Sequence, residues 1–204
     1  MAALDVFLPD ILVHAPGAPD PFVRQSIIRA AREWCQRTFG WKVWIACAAD
    51  APPDSQYAFT VPTDAELVRL ERVTLAGRPI DVVNFRAPER DYVTYATEEA
   101  QGAITSDLAT FTLLGTVTGT LQAFVSLQPT LAAASVPDIL ASRYMESIAK
   151  GAAARVLMTE GATFAKPQMG ALLRQEFLDA IGRATTDVMK GHTKATPRNR
   201  VLWC

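Results

Sequence analysis

Hydrophobic positions recur with a helical period at both ends of the chain and with a shorter spacing in the middle. Asp20 and Pro21 fit an N-cap followed by the first helical position. From there to Gly40, apolar or small residues return every three or four positions, with arginines on the remaining faces. The pattern predicts a first long helix, whose inner face carries Val23, Ile27, Ala30 or Ala31, Trp34 and Thr38.

The helical period returns after Pro137 and Asp138. It predicts a second helix that ends near Met158 and a third that runs from Pro167 to about Lys190. Small residues over 149–157 favour close packing of these two helices as an antiparallel pair. The expected apolar positions are Ile139, Leu140, Tyr144, Ile148, Ala152 and Val156 in the second helix, and Leu172, Leu173, Phe177, Ile181, Ala184 and Val188 in the third.

Short runs rich in β-branched and aromatic residues occupy the middle of the chain, at 41–48, 67–75, 79–85, 111–115 and 120–127. The turn sequence AGRP predicts a hairpin between the second and third runs. Residues 86–100 are polar and fit one short helix. We therefore expect an α+β, mainly helical fold, with three long helices packed as a bundle around a small inserted antiparallel β region.

This pattern also suggests a domain organisation. A single domain is expected over residues 1–190, with its helical core at 20–40 and 136–190 and a β-rich insertion at 41–128. Residues 191–204 have no helical pattern that could bury them, and they form an extended C-terminal tail in this interpretation.

Composition and charge exclude several classes of protein. Half of the residues are apolar and the formal net charge is −1, which argues against a disordered chain and against bulk attraction to nucleic acid or membranes. Three cysteines without a C-x-x-C pair argue against a disulfide framework or a zinc site. Without a leader pattern or a long apolar run, we expect a soluble protein made in a cytoplasm.

Charge is unevenly distributed along the chain. Residues 50–107 are acidic, with eleven Asp and Glu against five Arg, whereas residues 108–204 carry six acids against ten Lys and Arg. This asymmetry favours contact between unlike surfaces.

The residues offer little for catalysis. His14 and His192 lie near opposite ends of the chain, outside the predicted core, so a histidine triad or metal cluster is not expected. The glycines of GTVTG (115–119) fit a β-turn better than a phosphate-binding loop. We expect no catalytic residue, no cofactor, no metal and no enzyme activity.

Two alternatives remain open. One is a small hydrolase that uses acidic residues of the 89–107 segment, which holds Glu89, Asp91, Glu98, Glu99 and Asp107 near Tyr92 and Tyr95. A polar, solvated segment is a poor environment for separating carboxyl pKa values, which argues against this alternative. The other is a nucleic-acid-binding module that works through the basic tail, although its cations lack interleaved aromatic residues.

Trp203 differs from the other tryptophans. Trp34, Trp41 and Trp44 fall where the first helix meets the β region, and their expected role is packing. Trp203 follows a basic, extended tail and has nothing local to pack against. It fits an anchor for a pocket on another protein or subunit.

Two stretches resemble the head-to-tail adaptor, or connector, proteins of tailed bacteriophages. The first is LPDILVHAPGAPDPFVRQSIIRAAREWCQRTFGWK (8–42), in which a strap made extended by Pro16 and Pro19 enters a helix with a Trp-Cys pair near its end. The second is KGAAARVLMTEGATFAKPQMGALLRQEFLDAIGRATTDVMKG (150–191), an alanine-rich helix, a loop with Lys-Pro and another helix.

The resemblance implies a structural virion protein without enzymatic activity. It implies a homo-oligomeric ring of twelve copies in the neck between capsid and tail, assembled in the bacterial host cytoplasm. DNA would pass through the ring without sequence-specific binding, no membrane would be involved, and the partners would be the portal protein and the tail or neck proteins. The implied portal contacts lie in the C-terminal tail, at Lys194, Arg198, Arg200, Val201, Leu202 and Trp203.

Overall fold

A computed structural model describes residues 1–47, 56–82, 102–105, 107–114 and 119–191. The chain divides into two compact units, here called the sheet unit (Met1–Ala3 and Trp41–Ile139) and the helical unit (Leu4–Gly40 and Leu140–Cys204). The single domain over residues 1–190 stays a prediction. The predicted short helix at 86–100 lies outside the described residues.

The sheet unit contains nine strands among the described residues. Seven of them form one mixed sheet in the order β2-β8-β4-β5-β6-β7-β3, which curls until it is nearly closed. Every pair is antiparallel except β5–β6. The strands are β1 (Ala2–Ala3), β2 (Lys42–Cys47), β3 (Gln56–Ala58), β4 (Ala65–Leu75), β5 (Arg78–Val82), β6 (Gly102–Ile104), β7 (Thr110–Leu114), β8 (Leu121–Pro129) and β9 (Ser135–Val136), and β1 pairs with β9 in a second sheet.

The predicted hairpin is confirmed, because β4 and β5 pair around Ala76 and Gly77. Both turn residues have positive φ (49° and 80°), as a type I′ hairpin turn requires. Strand β4 also shifts register twice against β8, once between Leu67 and Arg69 and once between Leu70 and Arg72. Each shift inserts a residue and turns the next side chain inward. The buried residues of β4 are consequently Leu67, Leu70, Val73 and Leu75, which do not follow strict alternation.

The described residues include five α-helices and a 3-10 helix at Leu4–Phe7. The α-helices are α1 (Leu8–Leu12), α2 (Asp20–Thr38), α3 (Asp138–Arg143), α4 (Met145–Leu157) and α5 (Pro167–Met189), and the boundary between the units falls within α3. The predicted inner face of α2 is confirmed, since all six of its positions are buried. On α5, four predicted positions are buried, but Leu172 is 54% exposed.

The start of α2 differs from its prediction. The N-cap is Pro19, in extended conformation, and Asp20 is the first helical residue, so the N-cap role predicted for Asp20 is wrong. The preceding strap is turned at Pro16 and Gly17, because the amide of Ala18 donates to the carbonyl of Ala15 and Gly17 has φ 83°, so the extended strap predicted there is wrong. Before it, the amides of His14 and Ala15 both donate to the carbonyl of Ile11 and continue the end of α1 into a turn.

The second predicted helix is interrupted. Tyr144 has φ −126° and ψ 14° and separates α3 from α4. Its ring packs against the buried Trp34, with ring centroids 4.8 Å apart. A tertiary contact thus accompanies a break that the hydrophobic period alone does not reveal.

Close packing of α4 against α5 is confirmed. A Cβ atom added to Gly151 of α4 would lie 2.7 Å from Cδ2 of Phe177 on α5, and one added to Gly170 of α5 would lie 3.2 Å from the carbonyl oxygen of Ala154. Only glycine allows the two helices to approach so closely at these positions.

The fold-class prediction of a three-helix bundle with a small antiparallel insertion is wrong. Over the described residues the protein has five helices and is 45% helical. It also contains a seven-stranded mixed sheet and a second, two-stranded sheet formed by β1 and β9. The error has a physical cause. Strands of two or three residues, such as β1, β3, β6 and β9, are too short to show a hydrophobic period, and their partners lie far away in sequence.

Candidate interaction surfaces

The tail residues predicted to contact a partner lie outside the described residues. They are Lys194, Arg198, Arg200, Val201, Leu202 and Trp203. The description ends at Gly191, which has φ +62° and directly follows α5. The amide of Gly191 donates to the carbonyl of Val188 at 3.0 Å. The structure therefore fixes the point from which the tail departs, at the C-terminal end of α5.

A groove of about 740 Å³ lies at the opposite end of α5. Its walls are formed by Lys166, Pro167, Gln168, Met169 and Leu172. Two of these are large apolar side chains that remain exposed, Met169 at 41% and Leu172 at 54%. We call it the α5 groove.

The floor beneath the α5 groove is held in place by α4. The amide of Lys166 donates to the carbonyl of Leu157 at 3.0 Å, just before α5 begins. One turn further, Gly170 packs so closely that an added Cβ would lie 2.9 Å from Cγ of Met158. Met158 is itself 44% exposed and extends the apolar surface beside the groove.

Glu33 holds the three long helices of the helical unit together. Its carboxylate accepts two hydrogen bonds from Arg174 of α5, at 2.6 and 2.7 Å, and one from Arg155 of α4 at 2.7 Å. Arg37, one turn along α2, adds an ion pair at 3.4 Å. The side chain of Glu33 is only 12% exposed. Planar, two-point pairing of this kind is the strongest arrangement that an arginine and a carboxylate form.

The electrostatics of this cluster favour the ionised carboxylate. Burial raises the pKa of Glu33, but the hydrogen bonds from Arg174 and Arg155, together with their charges, lower it more. The pKa of Glu33 therefore lies below its ordinary value of 4.5. Arg155 Nε is buried and has no hydrogen-bond partner among the described residues, so the cluster is not fully satisfied.

A second ion-pair group ties α4 to α5. Lys150 Nζ lies 2.8 Å from Glu146 and 2.9 Å from Glu176. Hydrogen bonds to these two carboxylates raise the pKa of Lys150. The Glu146 side chain is 79% exposed and that of Glu176 is 43% exposed, so this group contributes less than the Glu33 cluster.

Strands β2 and β8 of the sheet unit carry a partly exposed aromatic pair. Trp44 is 50% exposed and packs against Phe124 on the neighbouring strand, with ring centroids 4.9 Å apart. Further along the same face, the Glu71 carboxylate accepts a hydrogen bond from the Ser126 hydroxyl at 2.7 Å. It also forms an ion pair with Lys42 Nζ at 3.4 Å. These contacts are those of a cross-strand network that stabilises the sheet.

Of the candidate residues for hydrolysis in the 89–107 segment, Asp107 alone lies among the described residues. Its carboxylate accepts hydrogen bonds from the amides of Ala109 and Thr110, at 3.0 and 2.9 Å, and from the Thr110 hydroxyl. The backbone hydrogen bonds from Thr110 and Ala109 lower the pKa of Asp107. Asp107 thus closes a turn and stays ionised, which does not suit a general acid. Glu89, Asp91, Tyr92, Tyr95, Glu98 and Glu99 lie outside the described residues.

The described part of the chain contains no group of three or more His, Cys, Asp or Glu side chains that could hold a metal ion. None of its helices combines the length and apolar character needed to cross a membrane. Comparison with protein-family models found no match, and comparison with curated proteins found none either.

Sequence reasoning missed two features of the helical unit. Glu33 lies among the arginines of α2, next to buried positions. An isolated acid at such a position was the available signal for a buried ion pair. Its partners could not be inferred, because they lie 122 and 141 residues away. The exposure of Leu172 was missed because the helical period places it beside Leu173 on the apolar side.

Proposed function

We propose that this protein is a structural head-to-tail adaptor of a tailed bacteriophage. In this proposal it forms a ring of twelve copies between the portal and the tail. The C-terminal tail docks on the portal through Lys194, Arg198, Arg200, Val201, Leu202 and Trp203. No catalytic step is assigned to it.

The observation that carries the proposal is the meeting of the two stretches that resemble the adaptor family. Residues 8–42 and 150–191 are separated by more than a hundred positions, yet α2, α4 and α5 belong to one compact unit. Glu33 of the first stretch binds Arg155 and Arg174 of the second. Packing of the two stretches into one helical unit is what the resemblance implies for the core of an adaptor.

Two further features support the proposal. The proposed portal-binding tail directly follows the long helix α5, so one long element of the helical unit leads into it. The acidic middle and the basic end of the chain supply unlike surfaces, as a closed ring requires when one face of each subunit meets a different face of the next.

The test combines the purified chain with the portal ring of the same phage and measures the mass of the complex. Full-length chain should form a discrete complex with about twelve adaptor copies per portal. A chain lacking residues 192–204 should fold, with unchanged circular dichroism, but should not bind. Trp203→Ala should weaken binding by about 2 kcal/mol or more, as expected for an interface anchor. His192→Ala, at the base of the tail, serves as the matched control.

The outcomes separate the parts of the proposal. Normal portal binding by the truncated chain would disprove the role of the tail. Absence of any defined complex between full-length chain and portal would disprove the adaptor function. Binding to DNA that falls steeply with salt would instead support the nucleic-acid alternative.

A further inference from the structure

The α5 groove has an unusual composition for a surface that faces water. Leu172 and Met169 line it and are about half exposed, and Met158 adds a third large apolar side chain at its border. Lys166 stands at its edge as the one charged wall residue among the described residues. An apolar floor with a cation at its edge suits an apolar segment that contains an aromatic ring.

The C-terminal tail contains such a segment. Residues 192–200 are polar and basic, and they are followed by Val201, Leu202 and Trp203. These three are the consecutive large apolar residues of the tail. Lys166 could contact the face of the Trp203 indole, a favourable cation–π pairing.

The length of the tail matches the distance along α5. An α-helix rises 1.5 Å per residue, so the stretch between Gly191 and the groove residues Leu172 and Lys166 spans about 28 to 38 Å. An extended chain advances about 3.3 Å per residue, so Val201 to Trp203 lie about 33 to 40 Å from Gly191. A tail that runs back along α5 therefore delivers its apolar segment to the groove.

We propose that in the free subunit residues 192–204 fold back along α5 of the same chain, with Val201, Leu202 and Trp203 docked in the α5 groove. The docked tail covers the exposed Leu172 and Met169. Docking also makes Trp203 unavailable to another protein, unless that protein displaces the tail from the α5 groove. The inference does not depend on a portal, and it concerns a state that precedes any partner.

A disulfide test uses the cysteines that the chain already has. Cys35 and Cys47 are buried, so oxidation should act on Cys204. Gln168→Cys places a thiol in the wall of the groove. Ala171→Cys is the matched control, because residue 171 is exposed, within the same reach, and about 100° around the helix from Leu172.

Mild oxidation of dilute protein should join Cys204 to position 168 about tenfold faster than to position 171, because docking raises the effective concentration. Leu172→Asp, added to the Gln168→Cys chain, should abolish that preference. Leu172 is exposed, so this variant should keep its circular dichroism spectrum. Equal rates at positions 168 and 171 in the folded parent would overturn the inference.

The same experiment distinguishes the alternative occupant. A disulfide-linked dimer whose yield rises with protein concentration would show that the tail of a second copy fills the groove, and would overturn docking within one chain. Failure of portal binding in the separate test would leave the disulfide result unchanged. The two proposals can therefore fail independently.

Discussion

Replacing Glu33 with Gln should be among the most destabilising polar substitutions in the helical unit. The change keeps the shape of the side chain but removes the charge that faces Arg155 and Arg174. Removal of one member of a fully buried ion pair costs about 3–5 kcal/mol. The two arginines are 35% and 29% exposed, so water can partly solvate them. We expect a loss of about 2–3 kcal/mol.

Urea unfolding, monitored by the helical circular dichroism signal at 222 nm, measures this loss in the free energy of unfolding. With a urea slope of about 2 kcal/mol per M, the midpoint should fall by about 1–1.5 M. Glu146→Gln is the control, because it removes a carboxylate that pairs with Lys150 but is 79% exposed. The control should unfold at nearly the same urea concentration as the parent.

The pH dependence provides an independent check on the same residue. The pKa of Glu33 is lowered in the folded state, so the unfolded chain binds more protons at acidic pH. Its contribution is complete above the ordinary value of 4.5 and is lost as pH falls through the lower folded value. In a plot of the free energy of unfolding against pH, the fall on the acidic side (the acid limb) should therefore be shallower for Glu33→Gln than for the parent. Equal midpoints for the Glu33 and Glu146 variants at pH 7, or parallel acid limbs, would refute this reasoning.

Two further predictions concern packing and thiol reactivity. Gly151→Ala should destabilise the chain by about 1–3 kcal/mol in the same urea assay, because the new methyl group would collide with the buried ring of Phe177. Gly182→Ala, where no described atom lies within 4 Å of the added Cβ, should instead stabilise it by about 0.5–1 kcal/mol, and the opposite order would contradict the packing of α4 on α5. Burial raises the pKa of Cys35 to about 12 and that of Cys47 to about 11, so both thiols should remain unreactive toward a disulfide reagent at pH 8. Two additional thiols per chain should titrate after unfolding in denaturant, and their reaction in the native protein would disprove their burial.

Long elements with a strong local signal were predictable from the sequence. The helix Asp20–Thr38 and the helix Pro167–Met189 each repeat the helical period over several turns, and each begins beside a proline. The hairpin around Ala76 and Gly77 follows from one short turn. In these cases the information lies within about twenty consecutive residues.

The remaining structure depends on partners that are distant in sequence. Strand β6 has three residues and pairs in parallel with β5, a choice that no local pattern encodes. The interruption at Tyr144 accompanies its contact with Trp34, more than a hundred residues away. The same holds for the candidate surfaces: the α5 groove arises because Leu172 faces outward where α4 leaves it uncovered.

The helical unit is discontinuous in sequence, and this has a consequence during synthesis. Helix α2 leaves the ribosome early, whereas α4 and α5 follow only after the whole of Trp41–Ile139 has been made. At about 5–20 residues per second, the roughly one hundred intervening residues take about 5–20 s. During that interval the apolar face of α2, which includes Trp34, has neither α4 nor α5 to pack against. The apolar face of α2 is therefore open to aggregation on the nascent chain until α4 and α5 have been made.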